Sequence, residues 1–217
     1  MLLNDTNLVI LNYERPENVF HIASALSNIL PIIVVNNNPK VKINNLVNAL
    51  VLNNDENKYC MDRWYKALQF GRKYTIILDD DILPSLQCIK DLRKEAENSY
   101  LVGIYGKNNV ASANKYEDLD DVWCTESSVD LVVGACSIVD TEALRSIADQ
   151  YLLPWGLPKR GDDLIVSLAL SHKYKVLHKT ITTKVLSLPT HGVGLNTSKD
   201  HYKLRWDVIN QFMHKYN

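Results

Sequence analysis

No run of the 217-residue chain approaches the roughly 20 apolar positions a membrane helix needs, so no membrane span is expected. No basic leader with a long apolar core opens it, which argues against a signal peptide. Cys60, Cys88, Cys124 and Cys136 never stand at CxxC spacing, so neither a zinc site nor a redox pair is suggested. A disulfide-stapled secreted scaffold would be shorter and richer in cysteine. Free thiols and a cytoplasmic location follow as the expectation, and the sequons at Asn4 and Asn196 then carry no meaning. Neither charge sign dominates: 24 Lys and Arg face 25 Asp and Glu, for a net charge of −1. That balance excludes a general nucleic-acid binder and gives no polybasic membrane patch. No GxxxxGK[ST] loop is present, so a P-loop enzyme is excluded. There is no internal repeat, linker or heptad seam. One domain over residues 1–217 is the reading, with a first half to about 106 and a second from about 107. The length also suits one part of a longer multidomain protein.

What is present is an alternation. NLVILNY (7–13) reads as a buried strand, and Pro16 stands where a helix can begin. VFHIASALSNIL has apolar residues at helical spacing. PIIVVNNN and ALVLNN follow as strands, and CMDRWYKALQFG as a helix closed by Gly71 as a C′ residue. YTIIL is a strand, SLQCIKDLRKEAENS a helix, and YLVGIYG a strand. KYEDLDDVWCTESS reads as an acidic loop, and VDLVVGACSIVD as one long strand. TEALRSIADQYL is a helix capped by Thr141, and GDDLIVSLALSHKY another. A glycine-containing loop, VLSLPTHGVGLNTSKD, leads to a last amphipathic helix, HYKLRWDVINQFMHKY. Strand and helix in alternation predict an α/β fold with a mostly parallel sheet flanked by helices. Continuously apolar strands agree, because both faces of such a sheet are covered.

TIILDDDIL (75–83) carries the chemistry. A buried strand runs into Asp79, Asp80 and Asp81, and adjacent carboxylates near a core are costly. In an open parallel sheet ligands bind beyond the carboxyl ends of the strands. A hard divalent cation, Mn2+ or Mg2+, would neutralise these acids and hold substrate phosphates. The competing explanation is a solvated turn before a helix, where acids are favoured anyway. A phosphotransferase or a response-regulator pocket has the same local pattern.

Several stretches, in order, resemble a known family: NYERP, VVNNN, RWYKALQFGRKYTIILDDDI, VGIYGKNNV, VDLVVGACSIV and KRGDDLIVSLAL. Over residues 8 to about 172 the chain resembles a GT-A glycosyltransferase with a DxD motif, and more narrowly the exostosin-like transferase domain. Its size is also similar to that of a glycosyltransferase domain that chlorella viruses use on their capsid protein, which would imply the host cytoplasm. The resemblance implies a single-domain GT-A (Rossmann-like) fold and a UDP-sugar donor, such as UDP-glucose. It also implies a glycan or glycoprotein acceptor and transfer with retention. Asp79 and Asp81 then bracket the DxD, with Asp81 the surest metal ligand, and Asp80 meets the donor. Gly134 and Ala135 match the Gly-Ala that ends a family strand beside the nucleotide-sugar.

The remaining candidates each have a bland explanation beside the functional one. Arg63 can pair with a diphosphate or sit at the surface beside Asp62. Tyr13 can stack on a base and Arg15 reach a phosphate, against a core Tyr and a solvated Arg. Asn36 and Asn37 can bond a base or ribose, or merely form a turn. Asp162 and Asp163 open a helix, so one is expected to cap it. The other, Asp163 by preference, can act as a base on an acceptor hydroxyl or steady an oxocarbenium-like centre. His191, in PTHGVG, is a candidate third metal ligand on a loop that Gly192 and Gly194 allow to close, against a surface His in a turn. The exostosin-like pattern does not call for it. Lys107, Trp155 and Lys159 are candidates near an acceptor, whereas Trp206 and Phe212 read as core. A nucleotidyltransferase would carry a Gly-rich signature with a Lys near its first strand, which NYERPENV lacks. A sugar- or nucleotide-binding module without catalysis is the remaining alternative.

Overall fold

Strands β1 (Thr6–Asn12), β2 (Ile32–Asn36), β3 (Ala49–Asn53) and β4 (Tyr74–Asp79) form the parallel half of the computed structural model. The model describes residues 3–44, 46–190 and 198–216. Helix α1 (Pro16–Leu26) links β1 to β2, and α2 (Met61–Phe70) precedes β4. Leu8 pairs in register with both Ile32 and Ile76, and Ile32 with Ala49. Because successive strand side chains alternate, Leu8 and Ile10 enter one core and Val9 the other; all three are fully buried. Both sheet faces therefore need covers, which explains why β1 reads as a continuous apolar run rather than an alternating one.

The chain continues through β5 (Ile82–Pro84), α3 (Leu86–Glu95), β6 (Leu101–Gly103), β7 (Tyr105–Asn108), β8 (Asp120–Trp123), β9 (Ser127–Val129), β10 (Leu131–Val132) and β11 (Cys136–Asp140). Then come α4 (Thr141–Ile147), α5 (Asp162–Tyr174), β12 (His178–Thr180), β13 (Val185–Ser187) and α6 (His201–Tyr216). The main sheet has eight strands in the order β3-β2-β1-β4-β11-β6-β12-β9. Strand β11 runs antiparallel between β4 and β6, so the second half of the sheet is mixed. One face is covered by α1 and α3 through Val19, Ile22, Ile89 and Leu92; the other by α2, α4, α5 and α6 through Trp64, Leu144, Leu164 and Phe212. A small antiparallel sheet, β10-β7-β8, stands at one end. Among the described residues, no helix is long and apolar enough to cross a membrane.

Four local expectations are corrected. VDLVVGACSIVD is not one strand: it breaks into β9, β10 and β11, with Ala135 at φ +77° in the left-handed region. KYEDLDDVWCTESS is not merely a loop; its β8 pairs with β7. Gly71 ends α2 in extended geometry, φ −63°. It is glycine for room, since a Cβ would lie 2.3 Å from the Ala67 carbonyl oxygen. Helix α4 is capped by Asp140, which accepts from the Ala143 N–H at 2.9 Å, with Thr141 in the first turn.

Candidate active site

The carboxyl ends of the parallel strands carry a ladder of asparagines. Asn12 donates to Asn36 Oδ1 at 2.7 Å, and Asn36 donates to Asn53 Oδ1 and the Val41 carbonyl, both at 2.7 Å. Asn36 is thus fully buried and spent on the scaffold, and it does not reach the cleft; as a ligand-binding candidate it is corrected. One residue on, Asn37 lines the cleft, its amide tied to the Tyr59 carbonyl and to Asn54. A type of residue that both donates and accepts can close such a ladder without leaving an unpaired group in the core.

Beyond the strand ends lies a cleft of about 470 Å³. Tyr13, Arg15, Asn37, Arg63, Asp79, Asp80, Asp81, Gly134, Ala135, Asp162 and Asp163 all line it. Its floor is one ion-pair network. Arg63 gives Nη1 to Asp79 Oδ1, and Nε and Nη2 to Asp162 Oδ2 at 3.0 and 2.9 Å. The Trp64 indole N–H also donates to Asp162, at 2.8 Å. Asp79 Oδ2 accepts from the Ala135 N–H at 2.8 Å. Asp163 Oδ2 accepts from the Gly134 N–H at 2.7 Å and from Arg205 Nη2 at 2.8 Å. The left-handed Ala135 turns two consecutive N–H groups onto two carboxylates, which accounts for the broken strand. A Cβ at 134 would sit 3.1 Å from Asp79 Oδ2, so a larger residue there would crowd that carboxylate. Neither acid caps α5; Gly161 holds that place, at φ +79°. Both carboxylates are turned to guanidiniums instead.

The electrostatics follow from this pairing. Burial works against the charge on Arg63, but Asp162 and Asp79 outweigh it and hold the guanidinium firmly protonated. Burial also raises Asp162, against the pull of Arg63. At Asp163 burial is overcome by Arg205 and the Gly134 N–H, so its carboxyl lies below the ordinary range and is ionised at neutral pH. The lip differs. Asp80 and Asp81 share one guanidinium nitrogen, Arg15 Nη1, at 2.6 and 3.0 Å. Burial pushes Asp80 up to about 7, with repulsion from Asp79 and Asp81 only partly answered by Arg15. Burial and Asp79 raise Asp81 as well.

These observations decide what a cation would meet. Asp79, a candidate ligand by motif, has each oxygen engaged, one by Arg63 and one by the Ala135 N–H, with its side chain 38% exposed. Asp81 faces the cleft with a side chain 30% exposed, in a lip short of positive charge. Among the described residues no three His, Cys, Asp or Glu form a cluster able to hold a metal alone. Asp80 and Asp81 are the lip carboxylates that could share a hard cation with oxygens of a ligand. His191 lies outside the described residues.

The opposite wall was not anticipated. Tyr105, Tyr116, Trp123 and Tyr202 line it, with Lys159, Arg160, His201 and Arg205. Of these only Lys159 was a candidate. Lys107 is buried, pairing with Asp121 at 2.8 Å over the Tyr116 ring, and does not line the cleft. Trp155 packs against the core at a separate surface depression. Phe212 is core and Trp206 packs partly against it. Arg205 carried a readable signal: in α6 it falls on the same face as the buried Val208, Ile209 and Phe212, an odd place for a guanidinium without a partner.

No family model matches the chain and no curated protein does. Solved structures do match it. The fold is GT-A-like. A Staphylococcus aureus TarS fragment (residues 1–349) in complex with UDP-GlcNAc is 12% identical, with a TM-score of 0.64 over 98% of this chain and 67% of that one. The 2-C-methyl-D-erythritol 4-phosphate cytidylyltransferase from Thermus thermophilus is 11% identical, with a TM-score of 0.52 over 96% of this chain and 100% of that one. At such identities the likeness is one of fold.

Proposed function

We propose that the protein is a glycosyltransferase that moves a hexose from a UDP-sugar, such as UDP-glucose, to a hydroxyl of a glycan or glycoprotein. The observation that carries this reading is Asp163. Its Oδ2 is clamped by Arg205 and the Gly134 N–H, while its Oδ1 is buried in the cleft wall without a hydrogen-bond partner. A buried carboxylate oxygen lacking a donor is costly, and an acceptor hydroxyl would supply one. Asp163 then takes the hydroxyl proton as the oxygen attacks the anomeric carbon and UDP departs. A base on the acceptor is what direct displacement with inversion requires. In this reading inversion replaces the retention implied by the exostosin-like resemblance.

The other residues prepare the two partners. Tyr13, 40% exposed at the end of β1, offers a face for the base, and Asn37 and Tyr59 stand beside it. Arg15 pairs with both lip acids and would meet the diphosphate. Bound with the donor, Mn2+ or Mg2+ would be held by Asp81 with Asp80 beside it, and would take charge off the departing diphosphate.

A nucleotidyltransferase is the second reading, because the cytidylyltransferase shares the fold. Its nucleophile, a sugar phosphate, is already ionised and needs no base. The unpartnered Asp163 oxygen favours the first reading. The deciding experiment incubates the protein with UDP-glucose, UDP-GlcNAc and Mn2+, and in parallel with UTP or CTP and sugar 1-phosphates. UDP release that collapses in Asp163→Asn is expected. Pyrophosphate release from the triphosphates would transfer the protein to the second class. UDP binding with neither product would make it a binding module.

A further inference from the structure

Beyond Asp163 the cleft changes character, from acids to aromatics and cations. Trp123 and Tyr202 line it yet remain 46% and 45% exposed. Each packs against a second ring: Tyr202 lies nearly parallel to Tyr116 at 5.7 Å, and Trp123 meets Tyr105 edge-on at 5.3 Å. Exposed aromatics fixed at a cleft mouth present flat apolar faces at little entropic cost. The C–H face of a sugar ring is their natural counterpart.

The polar groups on this wall are unsatisfied in one direction. Among the described residues, Arg160 Nε, His201 Nδ1 and Arg205 Nε are buried atoms without hydrogen-bond partners. The charge of Arg205 is answered by Asp163. Lys159 and Arg160 have no ion pair among the described residues. The first turn of α6 brings its N-terminal partial positive charge to the same wall. Burial, then Arg205 and Arg160, push His201 down to about 4, as expected where positive charge is in surplus.

We infer that this wall is the acceptor seat, and that the acceptor is a sugar carrying an anionic group, phosphate or carboxylate. Trp123 and Tyr202 take the ring, Arg160 and Lys159 take the anion's charge, and His201, neutral at working pH, offers a hydrogen bond. The inference rests on the transferase reading above, because Asp163 must meet the hydroxyl and therefore separates donor from acceptor. Asp163 is in electrostatic reach of both His201 and Tyr116, so the seat adjoins the base.

The test titrates the UDP- and Mn2+-saturated protein with glucose, glucose 6-phosphate and glucuronate by calorimetry and saturation-transfer NMR. Both anionic sugars, or one of them, should bind at least tenfold tighter than glucose; which one does so distinguishes phosphate from carboxylate. Arg160→Gln combined with His201→Gln should erase that advantage and leave UDP affinity within twofold. Trp123→Ala should weaken every sugar about tenfold and Trp123→Phe should restore most of it. Equal binding of all three sugars would overturn the inference. So would a parallel loss of UDP affinity in the double variant, which would assign these two side chains to the donor diphosphate. If the unmodified protein binds no UDP, the transferase reading fails instead, and selective binding of the anionic sugars would still uphold an anionic-sugar seat.

Discussion

The floor and the lip of the cleft are built from the same residue type and behave oppositely. On the floor, Asp79 and Asp162 meet the Arg63 guanidinium, the Ala135 N–H and the Trp64 indole N–H, while Asp163 meets Arg205 and the Gly134 N–H through one oxygen and keeps the other unpartnered. On the lip, Asp80 and Asp81 share one nitrogen of Arg15, with a backbone hydrogen bond to each carboxylate besides. A buried charge with full pairing is scaffold; removing a partner exposes the cost of desolvation, which the pair had concealed. A buried charge with half a partner is held ready for something else. Adjacent carboxylates in one chain therefore divide into framework and site by their partners, not by their motif position.

The largest test of this division is Arg63→Met. It leaves the buried Asp162 without a counter-charge and the part-exposed Asp79 without its ion pair, and should cost about 3–5 kcal/mol of stability, read as a lost or much lowered unfolding midpoint in urea. Arg63→Lys should not rescue it, because one ammonium cannot reach both carboxylates as the guanidinium fork does. A stable, well-folded Arg63→Met would mean that the floor is not framework. Asp163→Asn comes next. Its amide keeps the volume but takes no proton, so turnover should fall roughly 10²–10⁴-fold, with UDP affinity unchanged by calorimetry. A smaller fall in turnover would move the base elsewhere and restore retention.

Asp81→Asn probes the lip. Its effect should be smaller and confined to one condition: about tenfold weaker UDP-sugar binding with Mn2+, and little change in EDTA. Equal loss in both conditions would show that Asp81 acts on Arg15 rather than on a cation.

The same division explains what could be read from the chain alone. An apolar strand ending in acids places those acids at the carboxyl edge of the sheet by strand geometry, so Asp79–Asp81 were legible as a group, and Asp162 and Asp163 were legible only as an acidic helix start. Their partners were not. Arg63 and Asp162 are 99 residues apart, and Arg205 and Asp163 are 42 apart. No local pattern reports such pairings. Asn36 and Asn37 are chemically equal neighbours; only strand alternation and the Asn53 ladder decide which faces the cleft. Ala135 looked like mid-strand because its apolar flanks fit β-structure. Its left-handed turn answers two carboxylates supplied by other elements. Two of the four aromatics of the wall, Tyr116 and Trp123, were hidden in an acidic stretch, KYEDLDDVWCTESS, whose charge argued for a loop. The order of α/β elements survived because hydrophobic period and turn residues are local properties.

The smallest effect is the most direct measure of the lip. Asp80 titrates at about 7 in the folded chain, against an ordinary value of 3.8. Between those values the folded state binds a proton that the unfolded state does not. Stability must then fall as pH rises from about 4 to about 7, the reverse of a salt-bridged carboxylate such as Asp5 beside Arg93, whose pKa is lowered. Three units at about 1.4 kcal/mol each set a ceiling on the order of 4 kcal/mol for the penalty. Asp80→Asn removes that penalty but also weakens the hydrogen bond to Arg15, a charged bond worth roughly 1.5–3 kcal/mol. The net gain at pH 8 should be on the order of 1–2 kcal/mol, with a loss relative to the unmodified protein at pH 4. Urea midpoints of the two proteins should therefore cross between those pH values. Parallel curves would mean that Arg15 neutralises Asp80 in full, and the distinction between floor and lip would then reduce to Asp81 alone.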